Sequence, residues 1–351
     1  MVRKIEECVW YLYKHFKLDL DNIELSISSY IADISEYKVD DILPIIQRII
    51  KDKKQLKFLL DSPQVKQRSE EWYSLRRDRL TASDTAQSMN LGKFGTRNEL
   101  LLKKAFPDNY PNLSMNIPPL RHGIMFEAMT ARCYSQTYND ILIHEFGLIP
   151  HPTLSCFGAS PDGITDLGVM VEYKTPYRRK ITETIPEQYE LQMQGQLAVT
   201  NLSECDYVEC EMQEFKDIET YLISISPSSL TQHGIFIEIN DNEREYIYSP
   251  PYLTPVQVND WLKKTIENSS SRSYKIIPWK MRRMYVERVY FDKQRWDTIL
   301  KNKIQVFWDD VLNLRNNPPI NNHPKPVQQL KDNQDINKKY QFIDSDDEDA
   351  N

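Results

Sequence analysis

The spacing of apolar residues predicts helices at the two ends of this chain and short strands between them. In residues 1–62, apolar side chains recur every three or four positions, with one face around Ile5 and another around Ile46. That is the period of amphipathic helices. Short runs between 141 and 248 are rich in Val, Ile and Tyr, which favours strands. Helical spacing returns after about residue 255.

One predicted strand carries the residues that point most directly to chemistry. It is Val169–Lys174, preceded by a tight turn and by the corner that holds Asp162. Alternate side chains of a strand point to opposite faces, so Glu172 and Lys174 share a face and Tyr173 lies on the other. A second short strand is expected between Asp162 and the turn. If it pairs with Val169–Lys174 as a hairpin, Asp162 lies near Glu172. Neighbouring carboxylates repel each other and usually hold a cation between them, and an all-oxygen site favours Mg²⁺ or Mn²⁺.

The same residues carry a resemblance to a known family. Asp162 followed ten residues later by Glu172-x-Lys174 resembles the core motif of the PD-(D/E)XK nucleases, which by itself is weak because these residue types are common. The flanking motifs, in order, are Trp72-Tyr73-Ser74-Leu75-Arg76, Thr81-Ala82-Ser83, Gly123 with Glu127, Ser160-Pro161-Asp162-Gly163, and Tyr189 with Gln192 and Gln194. Together they resemble the lambda exonuclease branch, also called YqaJ-like viral recombinase nucleases, over roughly 67–199. The sequence as a whole is similar to the members of this family that are found in large DNA viruses of eukaryotes.

The resemblance implies an α/β fold with a central mixed sheet flanked by helices. Around that core, the predicted organisation has four parts. They are an N-terminal helical segment (1–65), a nuclease core (66–250), a C-terminal basic helical segment (251–315) and a disordered acidic tail (316–351). The implied activity is metal-dependent hydrolysis of duplex DNA from a 5′ end, leaving a 3′ single strand for recombination or repair.

The resemblance also assigns roles to single residues at the metal site. Asp162, Glu172 and the carbonyl of Tyr173 would hold the metal, and Glu127 would add a direct or water-mediated ligand. Lys174 and Gln192 would orient the attacking water. Lys174 would also take the proton of that water if its pKa is lowered.

A second set of residues is implied to bind the terminal 5′ phosphate. Arg76, Ser83 and Ser160 match the family positions for this role. Ser83 is also predicted to be the N-cap of a helix through Asp84 to Met89, where free N–H groups suit a phosphate. The other interpretation of Ser83 is an ordinary helix cap.

Two basic stretches are candidates for gripping the DNA backbone. One is Arg178, Arg179 and Lys180, which follows the motif strand. The other is the window 272–296, where eight basic residues, among them Arg282 and Arg283, stand against two acidic ones and alternate with aromatics. The simpler interpretations are a solvated basic face for the first and a packed amphipathic helix for the second.

Charge and cysteine content leave this interpretation open. The net charge is −7, but five acidic residues lie within 344–349, so the rest of the chain is near −2. An enzyme with a local basic groove does not need a basic average. The five cysteines are odd in number and scattered, which favours a reducing intracellular compartment, the host cytoplasm if the protein is viral. No run of 18 apolar residues predicts a membrane span.

Three alternatives stand beside the exonuclease. The first is a structure-specific or nicking DNA endonuclease that uses the same site. The second is a catalytically inactive DNA-binding protein, which the intact Asp162, Glu172 and Lys174 disfavour. The third is a sugar- or nucleotide-handling enzyme, which the lack of a Gly-rich phosphate loop disfavours. A single-strand annealing or recombination partner and a homo-oligomer remain open.

Overall fold

The structure is a computed structural model that contains two sheets with helices packed around them. It describes residues 1–17, 23–93, 95–109, 117–225, 232–240, 244–251, 253–268 and 273–318. The predicted acidic tail, from residue 319 onward, lies outside the described residues. Among the described helices, none is both long and apolar enough to cross a membrane.

The described helices fall into an N-terminal group, a group around the site and a C-terminal group. In chain order they are α1 (Val2–Phe16), α2 (Glu24–Asp33), α3 (Val39–Asp61), α4 (Glu70–Arg77), α5 (Thr85–Ser88), α6 (Arg97–Ala105), α7 (Pro118–Thr137), α8 (Glu187–Thr200), α9 (Ile218–Ser224), α10 (Pro255–Asn268), α11 (Lys293–Arg295) and α12 (Lys301–Asn316). A π-helical turn over Trp296–Leu300 joins the last two.

The strands form a mixed α/β architecture, as predicted. They are β1 (Leu80–Thr81), β2 (Ile143–His144), β3 (Ile149–Pro150), β4 (Phe157–Ala159), β5 (Gly163–Thr165), β6 (Met170–Lys174), β7 (Glu204–Glu214), β8 (His233–Asn240), β9 (Arg244–Tyr248) and β10 (Tyr274–Tyr290). The large sheet has the order β2-β5-β6-β7-β10-β8-β9, and the small one β1-β4-β3. In the large sheet β6 and β7 are parallel and the other neighbours antiparallel.

The N-terminal helices pack into the same core as the large sheet. Ile5, Ile46 and Ile49 are fully buried in one apolar cluster with Phe126 of α7 and Val208 of β7. The other face of the sheet packs on α8 and α12. Since burial of apolar surface is the main stabilising term, the helices and the sheet stabilise each other.

A buried network of charges joins the same two parts. Arg288 of β10 donates hydrogen bonds to Glu6 of α1 and to Asp206 of β7, at 2.9 and 2.6 Å. Glu204 accepts from Arg288 as well. The Arg288 side chain is only 10% exposed, so the loss of one partner would leave buried charge uncompensated.

The prediction of a helical segment over 251–315 is wrong in its middle. Residues 274–290 form β10, which lies between β7 and β8 in the centre of the large sheet. Ile277 and Trp279 are buried from alternate positions, and Pro278 would disrupt a helix interior. The many basic and aromatic residues obscured the alternation of buried and exposed side chains that is typical of a strand.

Candidate active site

The β5–β6 hairpin brings the two motif carboxylates together, as the sequence predicts. Gly163 pairs with Val171, so the same register places Asp162 beside Glu172. The backbone N–H of Tyr173 donates to Asp162 Oδ2 at 2.7 Å. The position of Asp162 is therefore fixed by the motif strand itself.

Glu172 lies at the centre of a buried hydrogen-bond network. It is only 1% exposed. From α8, Gln192 Nε2 donates to Glu172 Oε1 at 2.6 Å, and Gln196 Nε2 donates to Oε2 at 2.7 Å. Lys174 Nζ also donates to Oε1. Gln196 was not among the predicted site residues, although it lies on the same helical face as Gln192, which was the available signal.

Burial and neighbouring charges shift the pKa values of Asp162 and Lys174, which concerns the role predicted for Lys174. Burial and the charges of Glu172 and Glu127 raise the pKa of Asp162 well above its ordinary value. Burial acts to lower the pKa of Lys174, yet Glu172 and Asp162 raise it above its ordinary value. Both carboxylates thus favour the charged form of Lys174. The proton-transfer role of Lys174 stays a prediction.

Glu127 of α7 faces the same carboxylates and is paired with an arginine that sequence reasoning missed. Arg68 donates from its guanidinium to Glu127 Oε2 at 2.7 Å. Burial raises the pKa of Glu127, Arg68 acts against that shift, and Glu172 adds to it. Arg68 is separated from Glu127 by 59 residues and belongs to no motif, so no local signal pointed to it.

Close packing fixes the segment that carries Arg68. Gly147 lies against Val65, where an added Cβ would meet the Val65 carbonyl oxygen at 1.7 Å. Gln67 Nε2 donates to the carbonyl of Phe146 at 2.7 Å. Arg68 itself has a φ of 65°, an uncommon left-handed conformation for a residue with a side chain. Such strain persists only where the surroundings impose it.

The residues present fit a hard divalent cation that keeps part of its water shell. Two adjacent carboxylates, with Glu127 as a third acidic group, place negative charge at this point of the cleft, and burial together with that charge raises the pKa of Asp162. In the described ranges, no three His, Cys, Asp or Glu side chains are grouped so that they alone could hold a metal ion. Mg²⁺ typically binds through one or two carboxylates and retains several waters. Asp162, Glu172 and the Tyr173 carbonyl supply two carboxylates and one carbonyl oxygen, which agrees with this mode of binding.

The predicted phosphate-binding residues also lie close to one another. Arg76 NH2 lies 3.5 Å from Ser83 Oγ. The Arg76 guanidinium lies over the Trp72 ring, 4.3 Å from its centroid, and Trp72 Nε1 donates to Ser160 Oγ at 3.0 Å. Trp72 thus links Ser160 to Arg76, which in turn lies beside Ser83.

The prediction that Ser83 is the N-cap of the helix through Asp84 to Met89 is wrong. That helix is α5, whose N-cap is Asp84. The 3₁₀ turn over Ala82–Asp84 that precedes it begins at Thr81, which forms a reciprocal capping box with Asp84. Ser83 lies inside this turn, with its hydroxyl 3.1 Å from Thr81 Oγ1. Ser is on average a better N-cap than Thr, so the sequence alone favours Ser83. The turn begins earlier because the short strand β1 ends at Thr81.

A single cleft of about 610 Å³ holds both groups. Its lining includes every residue predicted for the metal, for the attacking water and for the phosphate. These are Arg76, Ser83, Glu127, Ser160, Asp162, Glu172, Tyr173, Lys174 and Gln192. The sequence therefore predicted which residues share the site, although their roles remain predictions.

The basic residues predicted to grip DNA are less well placed. Arg179 lines the cleft but donates to the buried carboxylate of Glu209. The others do not line it. Arg178 lies over the Tyr177 ring, Lys180 is exposed, Arg282 donates to Gln213, and Arg283 pairs with Glu183. These partners leave the side chains of Arg282 and Arg283 about half exposed, at 56% and 45%. Their contact with DNA stays a prediction.

Comparisons with known proteins agree with the motif-based resemblance. Residues 71–203 match the YqaJ-like viral recombinase domain family. An uncharacterised protein of Acanthamoeba polyphaga mimivirus is 25% identical over 296 residues, which cover 71% of this chain and 53% of that protein. A protein of African swine fever virus is 26% identical over 171 residues, covering 40% of this chain and 47% of that protein. The chain thus spans about half the length of the curated relatives it matches.

Solved exonuclease structures are also similar to this chain. The alkaline exonuclease LHK-Exo of Laribacter hongkongensis, in complex with dAMP, matches with a TM-score of 0.45 and 18% identity, covering 71% of this chain and 95% of that one. A phage-related exonuclease from Haemophilus somnus matches with a TM-score of 0.40 and 11% identity, covering 67% and 94%.

Proposed function

Taking residues 71–203 as a YqaJ-like viral recombinase domain, we propose that this chain is a metal-dependent deoxyribonuclease that degrades duplex DNA from a 5′ end. One observation carries the proposal. The Asp162–Glu172 pair, with Lys174 and Gln192 on Glu172, lies in the same cleft as the Arg76–Ser83 pair. A carboxylate pair suits a metal, and a guanidinium beside a hydroxyl suits a phosphate.

Asp162, Glu172 and the Tyr173 carbonyl would hold Mg²⁺, with Mn²⁺ as the alternative and Glu127 as a further ligand. When bound, the metal would lower the pKa of its water and stabilise charge on the phosphate. Gln192 and Lys174 are already hydrogen-bonded to Glu172, so they are positioned to orient that water. The ammonium of Lys174 would add positive charge beside the scissile phosphate, and proton transfer is not assigned to it.

The phosphate-binding residues would set the polarity of digestion. Arg76 can present a forked donor to a terminal phosphate dianion, and Ser83 and Ser160 can each add a hydroxyl. A 5′-phosphorylated end held there would place the next phosphodiester over Asp162 and Glu172. Such binding would give digestion from the 5′ end and a preference for a 5′ phosphate.

The experiment compares linear duplex DNA with a covalently closed circle, in the presence of Mg²⁺ or of a chelator. We expect mononucleotides from the 5′ ends of the linear duplex with Mg²⁺, an intact circle, and no product with the chelator. Equal cleavage of both substrates would replace the exonuclease with an endonuclease. Cleavage in the presence of the chelator would show that the reaction needs no metal ion.

One observation favours the endonuclease as the second candidate. A neighbouring cleft of about 550 Å³ shares Arg68, Glu127, Asp162 and Tyr173 with the first. The groove therefore continues past the carboxylates, and a DNA strand could lie across them on both sides. The closed circle decides between the two candidates, because only an endonuclease cuts it.

The biological setting is proposed on the relatives alone. Both viral relatives and the recombinase family suggest a role in recombination or repair of viral DNA, in the host cytoplasm. A single-strand annealing protein is the partner such a role would need, since the proposed product is a 3′ single strand. A duplex with free ends is the proposed substrate.

A further inference from the structure

A buried lysine lies behind the Arg76–Ser83 pair and belongs to no motif. Lys104 of α6 is 7% exposed. Its ammonium lies 2.9 Å from Asp84 Oδ2 and donates to the carbonyl oxygens of Arg76 and Arg79 at 3.0 and 2.9 Å. These three acceptors use the full donor capacity of an ammonium. Lys104 therefore connects the end of α4, which carries Arg76, to the 3₁₀ turn that carries Ser83.

Both ends of this connection are fixed by further contacts. Asp84 accepts from Thr81 Oγ1 at 2.8 Å, in the capping box at the start of the turn. The carbonyl oxygen of Lys104 accepts from Arg315 of α12 at 2.8 Å. The buried ammonium thus has little freedom to move, and its removal would leave Asp84 without its closest cation.

Asp84 is a competitor for the cation that the phosphate would need. Burial acts to raise the pKa of Asp84, but the charges of Lys104 and Arg76 hold it well below its ordinary value. Burial lowers the pKa of Lys104, and the charge of Asp84 acts against that shift. Asp84 is therefore a carboxylate with two cations in reach. Since Lys104 lies in hydrogen-bond contact with it, the Arg76 fork is left to turn toward the cleft, which it lines.

We propose that Lys104 is a positioning residue that neutralises Asp84, so that Arg76 stays free to bind a terminal 5′ phosphate. The inference rests on the proposed 5′-end nuclease and extends it to a residue that would never touch DNA. Without the lysine, Asp84 would draw the Arg76 guanidinium to itself. It would also repel an incoming phosphate dianion, because two like charges would then share the pocket.

The experiment measures kcat/KM on 5′-phosphorylated and 5′-hydroxyl duplex for wild type, K104M, D84N and D84N/K104M. The exposed neighbour Lys103 on the same helix supplies the matched control, K103M. We expect K104M to lose about tenfold of the preference for a 5′ phosphate, mostly through KM, since one charge-assisted contact is weakened. D84N/K104M should regain most of it, because no carboxylate then competes for Arg76. K103M should match wild type.

Each outcome bears on the proposal. A folded K104M that keeps its preference overturns it. A double variant that behaves like K104M also overturns it, because the loss of Asp84 would then have failed to release Arg76. If K104M fails to fold, D84N decides. Retained or raised preference in D84N supports the proposal, and a loss of preference contradicts it. A wild type with no 5′-phosphate preference would instead refute the proposed polarity on which the inference rests.

Discussion

Arg68 and Glu127 form an ion pair in the cleft that holds Asp162 and Glu172, with 2.7 Å between the guanidinium and Glu127 Oε2. The pair is partly exposed, at 42% and 36% for the two side chains. Arg68 therefore balances one of three negative charges that would otherwise act together on a cation. A metal held by Asp162 and Glu172 would share Glu127 with Arg68.

From this relationship we predict that R68M binds Mn²⁺ more tightly than wild type. Removing the guanidinium raises the negative potential at Asp162 and Glu172, and exposed pairs are worth about 0.2–1 kcal/mol, or roughly two- to fivefold in affinity. Calorimetric titration of Mn²⁺ measures this, with K66M as the control on the same exposed segment. An unchanged Mn²⁺ affinity in R68M would indicate that Glu127 takes no part in metal binding.

The phosphate-binding role of Arg76 predicts a substrate-dependent defect. R76A should slow digestion of 5′-phosphorylated duplex ten- to hundredfold and that of 5′-hydroxyl duplex much less, because a charge-assisted contact contributes roughly 1.5–3 kcal/mol. Time courses on both substrates test this, and R77A, at the exposed neighbouring position, is the control. Equal slowing of both substrates would count against end anchoring.

The buried charge network predicts that the N-terminal helices cannot be separated from the sheet. R288M should lower the free energy of unfolding by about 3–5 kcal/mol, since it leaves Glu6, Glu204 and Asp206 buried without their shared cation. Chemical denaturation measures the loss. R282M, on the same strand with a 56% exposed side chain, should change little. Similar small effects in both variants would show that the network does not stabilise the fold.

Asp52 of α3 predicts a pH dependence of stability. Burial raises its pKa to about 6, although Ser203 donates to it. An acid whose folded pKa is raised favours the folded state below its unfolded value, near 4, and that contribution is lost as the pH rises through about 6. D52N should therefore be more stable than wild type at pH 7.5, by up to about 3 kcal/mol, and the gain should shrink toward pH 4. A gain that is the same at both pH values would contradict this.

The sequence predicted the β5–β6 hairpin because its determinants are local. The spacing between Asp162 and Glu172, with a turn between them, sets the antiparallel register, and strand alternation puts Lys174 beside Glu172. The family motifs then added Arg76, Ser83 and Ser160. All of these side chains line one cleft.

What the sequence could not predict depends on contacts between distant segments. Arg68 and Lys104 reach the site from a loop and a helix that share no period with it. Composition predicts a basic helix over 274–290, whereas the alternation of side chains fits a strand. The burial of Ile277 and Trp279, on a strand paired with β7 and β8, decides for the strand. Lys174 has its pKa raised by two carboxylates that pairing brings together, which a one-dimensional pattern does not contain.

Asp162 offers a cleaner test of the metal site than Glu172. Both oxygens of Glu172 accept hydrogen bonds, so Glu172→Gln would place an amide donor against Gln192 or Gln196 and cost about 1–3 kcal/mol of stability. Asp162 accepts from Tyr173 N–H through Oδ2, a bond that Asn can keep. D162N therefore removes charge with little change of structure.

Release of mononucleotides from 5′-phosphorylated linear duplex with Mg²⁺ is to be measured for wild type and for D162N of matched thermal stability. We expect steady release by wild type and none above background by D162N, with DNA binding retained in both. Release by D162N at the wild-type rate would contradict this expectation, because the carboxylate pair would then have no part in cleavage.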